Sequence, residues 1–498
     1  MISKLKLLFI LLLLMMLVIG CTEHVEPPII CQSNEELIDG SCIIIPVQCG
    51  ENETLEDGIC VTLPPQCGEN EYLENGVCVL PELNLFEKTY TLQQVTADFN
   101  QLVRYLEDHN PMLYSFEKDI RFVVDEQRNL LFDGMNQVEL IRVLAPIVSA
   151  YQCGHTFVGF SRDSYAYFEE NIPIFPLFVR LFEHKLYVTG NYESYGIPLG
   201  SEIISMNGEP MECILETYLN AISSDGENLT FKYAIIDMIF SDLYFEFISS
   251  STTFLIEYIE PGTSVILTKT LIGVTKNILY SQITTEDQLP YQAFYTEQYA
   301  LMEISTFQPI SPYSRMSYSA FFLEFFTEVE QRGIQNVIID IRNNGGGDPM
   351  VSSDLFSFIA DYAQPYFDMS SPDFYPTLKR NVPLKNPHFS GNLYVLINGM
   401  SFSTSGHFAA LVKSQNLATF IGEESGGSYT CSDNSSQTSL SNTRLFLGSS
   451  NSIWTVAVDG LELGRGITPD YQVLMTIDDY IQQTDPILDF TLQLIQNG

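Results

Sequence analysis

The apolar run from Val337 to Ile341 is broken only by Asp340, and it runs straight into Arg342-Asn343-Asn344-Gly345-Gly346-Gly347. A short continuous apolar segment of this kind suits a strand buried on both faces. The glycines behind it allow backbone angles that L side chains rarely adopt and expose main-chain N–H groups. The same arrangement recurs. Leu393 to Ile397 reads as a second buried strand, with a small-residue turn and then a helix from about Ser403. Ala418 to Ile421 reads as a third, and Tyr299 to Ser305 as an earlier one. Between them, Tyr318 to Glu330 places Phe321, Phe322, Phe325, Phe326 and Val329 on one helical face, with Gly333 as the stop. A further helix is expected from about Pro349. Alternation of strand and helix predicts an α/β sheet with right-handed crossovers, whose working residues sit on loops at the strand carboxyl ends. Residues 286–498 are assigned to this core.

Two regions precede it. Thr91 to Asp108 carries Val95, Phe99, Leu102, Val103 and Leu106 at helical spacing, with Thr91 and Gln94 at capping-box separation. Asn136 and Glu139 open a second helix that Pro146 is expected to kink and that leads to Gly154-His155-Thr156. Residues 86–170 therefore form a helical subdomain carrying His155. From 171 to 285 the pattern turns to short strands, including Leu186-Tyr187-Val188 and Glu202-Ile203-Ile204. The stretch LGSEIISMNGEP resembles a strand and hairpin of a PDZ-like module, although the glycine loop by which such modules bind a carboxylate is not evident.

The N-terminus is an export signal in form. Lys4 and Lys6 precede an apolar run, Leu7 to Ile19, too short to span a bilayer comfortably. Val18-Ile19-Gly20-Cys21 resembles a bacterial lipobox, so residues 1–20 are expected to be removed and Cys21 acylated, which places the chain on the extracytoplasmic face of a cell membrane. The unlipidated alternatives are a signal anchor or an ordinary signal peptide. Residues 21–85 hold a repeat with a period of 18: CQSNEELIDGSC, CGENETLEDGIC and CGENEYLENGVC. Each unit is too small to bury a core and is expected to be closed by its own disulfide, Cys31–Cys42, Cys49–Cys60 and Cys67–Cys78. Asp57-Gly58 and Asn75-Gly76 are hairpin turns. Cysteine pairs separated this widely do not match zinc-site spacing. The repeats read as a spacer stalk. The formal charge of -39, from 23 basic and 62 acidic residues, leaves no basic surplus for phosphates and argues against nucleic-acid binding.

Two strand ends carry candidate chemistry. The glycine loop is suited to an oxyanion or a phosphate, and it is not a Walker loop because no Gly-Lys-Ser/Thr follows. Ser403, at a strand-to-helix junction, is either an ordinary helix cap or a nucleophile favoured by the helix dipole.

Taken together, Gly154-His155-Thr156, VIIDIRNNGGG, LINGMSFSTSGHFAALVKSQNLATFIGEESGG and GRGITPD resemble, in order and spacing, the tail-specific or C-terminal-processing serine protease superfamily, over roughly residues 90–495. That resemblance implies a crotonase-like protease core and an endopeptidase acting on protein or peptide substrates, with no metal or organic cofactor. It implies Ser403 as nucleophile. The lysine of one branch is replaced by Ser428, so the histidine-dependent, tricorn-like branch fits, with His155 as base and Glu462, or Asp459 in reserve, as its acid. Gly345 or Gly346 with Thr404 would hold the oxyanion. Cys153 and Gly406 depart from the family pattern, and a catalytically inactive peptide-binding or adhesive lipoprotein is the alternative. His407, one helical turn past Ser403, is not used as base in the family. Asp340 and Arg342 are expected to organise the glycine loop and Asp470 to fix a turn. Of the remaining cysteines, Cys153 and Cys431 are expected to pair, leaving Cys213 single.

Overall fold

The computed structural model describes residues 86–114, 119–191, 195–281, 290–309, 312–433 and 435–497, together with six strand segments of the repeats. The chain divides into two compact units, residues 1–83 and 84–498. In the first, each repeat forms an antiparallel two-stranded hairpin: Glu35–Ile38 with Ser41–Ile44, Glu53–Glu56 with Ile59–Thr62, and Tyr72–Glu74 with Val77–Val79. The register is shared, with Leu37, Leu55 and Leu73 opposite Cys42, Cys60 and Cys78. The expected lipobox and the repeat disulfides lie outside the described residues.

The second unit opens with three helices: α1 (Leu92–His109), α2 (Ile120–Arg128) and α3 (Gln137–Ala150). Both expected capping boxes form, Thr91 with Gln94 and Asn136 with Glu139. Pro146 lies inside α3, which nevertheless runs unbroken to Ala150. An antiparallel sheet follows, of β1 (Leu177–Phe182), β2 (Lys185–Asn191), β3 (Glu202–Met206), β4 (Thr253–Ile259) and β5 (Ile266–Ile272), paired in chain order. Between β3 and β4 the chain makes α4 (Met211–Ala221) and α5 (Leu229–Leu243).

The core sheet is built from β6 (Tyr291–Tyr295), β7 (Ala300–Ile304), β8 (Asn336–Asp340), β9 (Asn392–Ile397), β10 (Ala418–Gly422) and β11 (Tyr471–Gln472), again side by side in chain order. Only β6 is antiparallel to its neighbour. The crossovers carry α6 (Pro312–Arg332), α7 (Pro349–Phe356) and α8 (Thr404–Ser414). Side chains alternate between faces, as strands require. Met302, Val337, Ile339, Val395 and Phe420 join the main core with Phe322, Phe325 and Phe326 of α6. Leu301, Ile338, Leu396 and Ile421 face the other way and pack with Ile487 of the last helix, α9 (Pro486–Asn497). Helix α6 starts well before Tyr318, with Pro312 in its first position, where a missing N–H costs nothing.

Candidate active site

The β9–α8 junction and the loop after β8 are built as one object. Ser401 Oγ donates to Ile341 O at 2.8 Å, Phe402 N to Asn344 O at 3.1 Å, and Thr404 Oγ1 to Gly347 O at 2.6 Å. Asn343 N donates to Asn398 Oδ1 and Asn398 Nδ2 to Asn343 Oδ1, both at 2.9 Å. Gly346, at φ 99°, sits so close that a Cβ would meet Ser403 Cβ and Phe402 O at 2.8 Å. On this platform Ser403 adopts φ 54° and ψ -122°, a region that side-chain-bearing residues occupy at a cost of about 1–3 kcal/mol. Its hydroxyl makes no capping hydrogen bond. The ordinary-cap reading of Ser403 is therefore wrong. A cap would have extended backbone and would spend its oxygen on the helix amides.

That oxygen lies 3.1 Å from Nε2 of His155. His155 reaches it from the far end of α3. The turn at Cys153 closes through Thr156 N to Cys153 O at 3.0 Å, and the next residues, Phe157–Gly159, pair antiparallel with Phe446–Ser449. This strand pairing stitches the histidine loop to the C-terminal part of the core. The imidazole stacks on Phe402 at 4.7 Å, and Phe402 stacks in turn on Phe231 of α5 at 4.2 Å.

The expected oxyanion donors divide. Gly346 N is already committed to Asn344 Oδ1 at 3.0 Å, so it is not available. Among the described residues, the amides of Gly345 and Thr404 have no acceptor. Glu462 makes no hydrogen bond to the His155 ring among the described residues. It is exposed, and so is Asp459, on a loop whose Gly460 and Gly464 take positive φ. The nearby GRGITPD segment instead clamps the loop after β10: Arg465 binds Glu424 at 2.9 and 2.6 Å, and Ile467 N donates to Ser425 Oγ at 2.7 Å. Asp470, expected to fix a turn, instead ties its segment to β10, since Phe420 N donates to its Oδ2 at 2.8 Å. Arg342 is held between Asp340 and Asp485, at 2.6 and 2.7 Å, at the root of the glycine loop.

Two residues near the pair are not what the sequence suggested. Cys153 and Cys431 are buried free thiols rather than a disulfide. Cys153 Sγ lies 3.2 Å from Ser450 Oγ and Cys431 Sγ 3.5 Å from His407 Nε2, so each has its own polar neighbour. Burial drives His407 down to about 3, with the charge of His155 adding to the effect, so it is a neutral wall rather than a base. Gly406 is explained by packing, because a Cβ there would stand 2.3 Å from the main chain of Gly427.

Sequence reasoning missed Asp225, between α4 and α5. Its Oδ1 accepts from Gly154 N at 2.8 Å, directly beside the histidine. Burial raises its carboxyl to about 6, against the opposing pull of His155 and the Gly154 N–H. A pocket of about 140 Å³ opens beside Ser403, walled by Phe367, Phe374, Tyr375 and Trp454 with His407 and Cys431 among its lining.

Residues 298–473 match the model of peptidase family S41. The chain is a serine-type peptidase, similar over that segment to family S41. Solved structures of similar fold include mature CPAF complexed with lactacystin, at 13% identity over 82% of this chain and 100% of that one, with a TM-score of 0.58. Mature CPAF alone gives 14% identity, 82% and 99% coverage, and a TM-score of 0.57. At such identities the likeness concerns the fold. No curated protein sequence matches this chain.

Proposed function

We propose that the chain is an extracytoplasmic, lipid-anchored serine endopeptidase in which Ser403 is the nucleophile and His155 the general base. The observation that carries this reading is the 3.1 Å contact of His155 Nε2 with the hydroxyl of a serine held at positive φ on a helix N-terminus. Ser403 Oγ attacks the substrate carbonyl while Nε2 takes its proton, and the same nitrogen returns it to the leaving amine. The free amides of Gly345 and Thr404 receive the oxyanion, aided by the α8 dipole. Water then releases the acyl group. The aromatic walls of the adjoining pocket suit a substrate side chain with a large apolar part, and Asp433 in its lining disfavours an acidic one.

The finer architecture belongs to the same proposal: a crotonase-like core, a PDZ-like module in the antiparallel sheet, and a stalk of three disulfide-closed repeats rising from acylated Cys21. Among the described residues no helix is long and apolar enough to cross a membrane. A fluorophosphonate probe should label the wild-type chain and fail to label Ser403→Ala and His155→Ala. Equal labelling of Ser403→Ala would sink the nucleophile, and an unlabelled wild type would leave a peptide-binding chain on the same fold.

A further inference from the structure

A serine–histidine pair needs a partner for the second ring nitrogen. When Nε2 takes the hydroxyl proton, the imidazole becomes a cation, and a fixed negative charge near Nδ1 stabilises it and holds the ring in register. Nδ1 of His155 is buried and has no hydrogen-bond partner among the described residues. Glu462 is exposed and makes no described contact with it.

Asp225 offers the complement. Its Oδ1 holds Gly154 N at 2.8 Å, and its Oδ2 is buried with no donor among the described residues. A buried carboxylate oxygen and a buried ring nitrogen thus both stand unsatisfied on the two sides of one peptide. Leaving either group so is costly, and unsatisfied groups of this kind gather where chemistry occurs. The loop bearing Asp225 is fixed from three directions. Gly226 N donates to Gln152 O at 3.1 Å, Glu227 N to Gly464 O at 3.2 Å, and Asn228 Nδ2 to Ser425 O at 2.8 Å. These bonds tie it to the segment before His155, to the GRGITPD loop and to the loop after β10. The carboxylate therefore keeps its place relative to the base while the base moves a proton.

We propose that Asp225, and not Glu462, is the acid that positions His155 and stabilises its protonated form. Catalytic hydrogen bonds are often long in unliganded sites and tighten when substrate arrives, so Oδ2 need only close on Nδ1 as the charge develops. The groups that face Asp225 are consistent with one cation at this spot. Asp433, Cys153, Cys431 and Tyr114 all disfavour a negative charge on their neighbours, and His155 is the one titratable group that favours it, beside the Gly154 N–H.

The proposal rests on the Ser403–His155 reading, and the test separates the two. The rate of fluorophosphonate labelling is measured from pH 5 to 9 on the full chain. Variants are Ser403→Ala, Asp225→Asn, Asp225→Glu and Glu462→Gln. Asparagine keeps an oxygen for Gly154 N–H, removes the charge and replaces the second, accepting oxygen by an NH2 donor. Its labelling rate should fall by about 100-fold or more. Its acid limb should also move to lower pH, because a neutral amide no longer favours the protonated imidazole. Asp225→Glu should recover part of the rate, and Glu462→Gln should stay within about threefold of wild type with its limb unmoved. If Asp225→Asn fails to fold, Glu462→Gln still decides. A large loss and a shifted limb in that variant, or wild-type labelling by Asp225→Asn, overturns the proposal. A wild type whose labelling does not depend on Ser403 overturns the underlying assignment instead.

Discussion

The two halves of the site are held by different physics. Ser403 is placed by the main chain. Two buried parallel strands end side by side, and hydrogen bonds from Ser401, Phe402 and Thr404 to the glycine-loop strand leave the nucleophile one conformation. His155 is placed by side chains. It stands at the end of a helix–turn segment, stacked on Phe402 and tethered through Gly154 to Asp225. A backbone-built half tolerates changes of side chain but no added atom. A side-chain-built half tolerates small displacements but depends on the identity of its neighbours.

The sharpest way to break this contrast is Gly346→Ala. The new methyl would meet main-chain atoms at 2.8–2.9 Å and impose a side chain at φ 99°. Backbone strain alone predicts about 1–3 kcal/mol of lost stability. A displacement of Ser403 by about 1 Å predicts a loss in labelling rate on the order of 100-fold. Wild-type labelling by this variant would show that the platform is softer than its hydrogen bonds imply. Phe402→Leu probes the other half more gently. It keeps most of the buried volume and removes the rings stacked between His155 and Phe231. The aromatic contribution predicts a rate reduced about 3- to 10-fold, with the fold intact by circular dichroism. A 100-fold loss would mean that the stack, rather than Asp225, fixes the imidazole.

This division also explains what was readable in the sequence. The strands near 337–341, 393–397 and 418–421 were visible because a continuous apolar run followed by small residues has few other uses. Capping boxes at Thr91 and Asn136 were visible because they are local. Ser403 was ambiguous for a physical reason: cap and nucleophile use the same residue type at the same junction, and only the sign of φ and the direction of the hydroxyl separate them. Asp225 was invisible because Ser-Ser-Asp-Gly-Glu-Asn reads as an ordinary turn, and its partner lies 71 residues away at Gly154. Glu462 matches the family pattern by its order in the chain, and order does not reveal that its side chain is exposed. The free thiols teach the same lesson, since proximity of two loops does not bring two sulfur atoms to bonding geometry.

The smallest predicted effect is one of stability, and it has the opposite sign to the effect on rate. The Asp225 carboxyl is raised from 3.8 to about 6 in the folded chain, because burial penalises its charged form. Between those values the folded state keeps a proton that the unfolded chain has released. The group's contribution is therefore most favourable below about pH 4, and it is lost as pH rises through about 6. At neutral pH the buried charge is a cost of about 1–3 kcal/mol that the chain sustains for its histidine. Asp225→Asn removes the charge and keeps the oxygen that binds Gly154 N–H. Its Tm should exceed that of wild type by a few degrees at pH 7.5, and the two should converge near pH 4. A variant that is less stable than wild type at pH 7.5 would mean that Asp225 is a structural strut, and the side-chain-built half of the site would then be held by the aromatic stack alone.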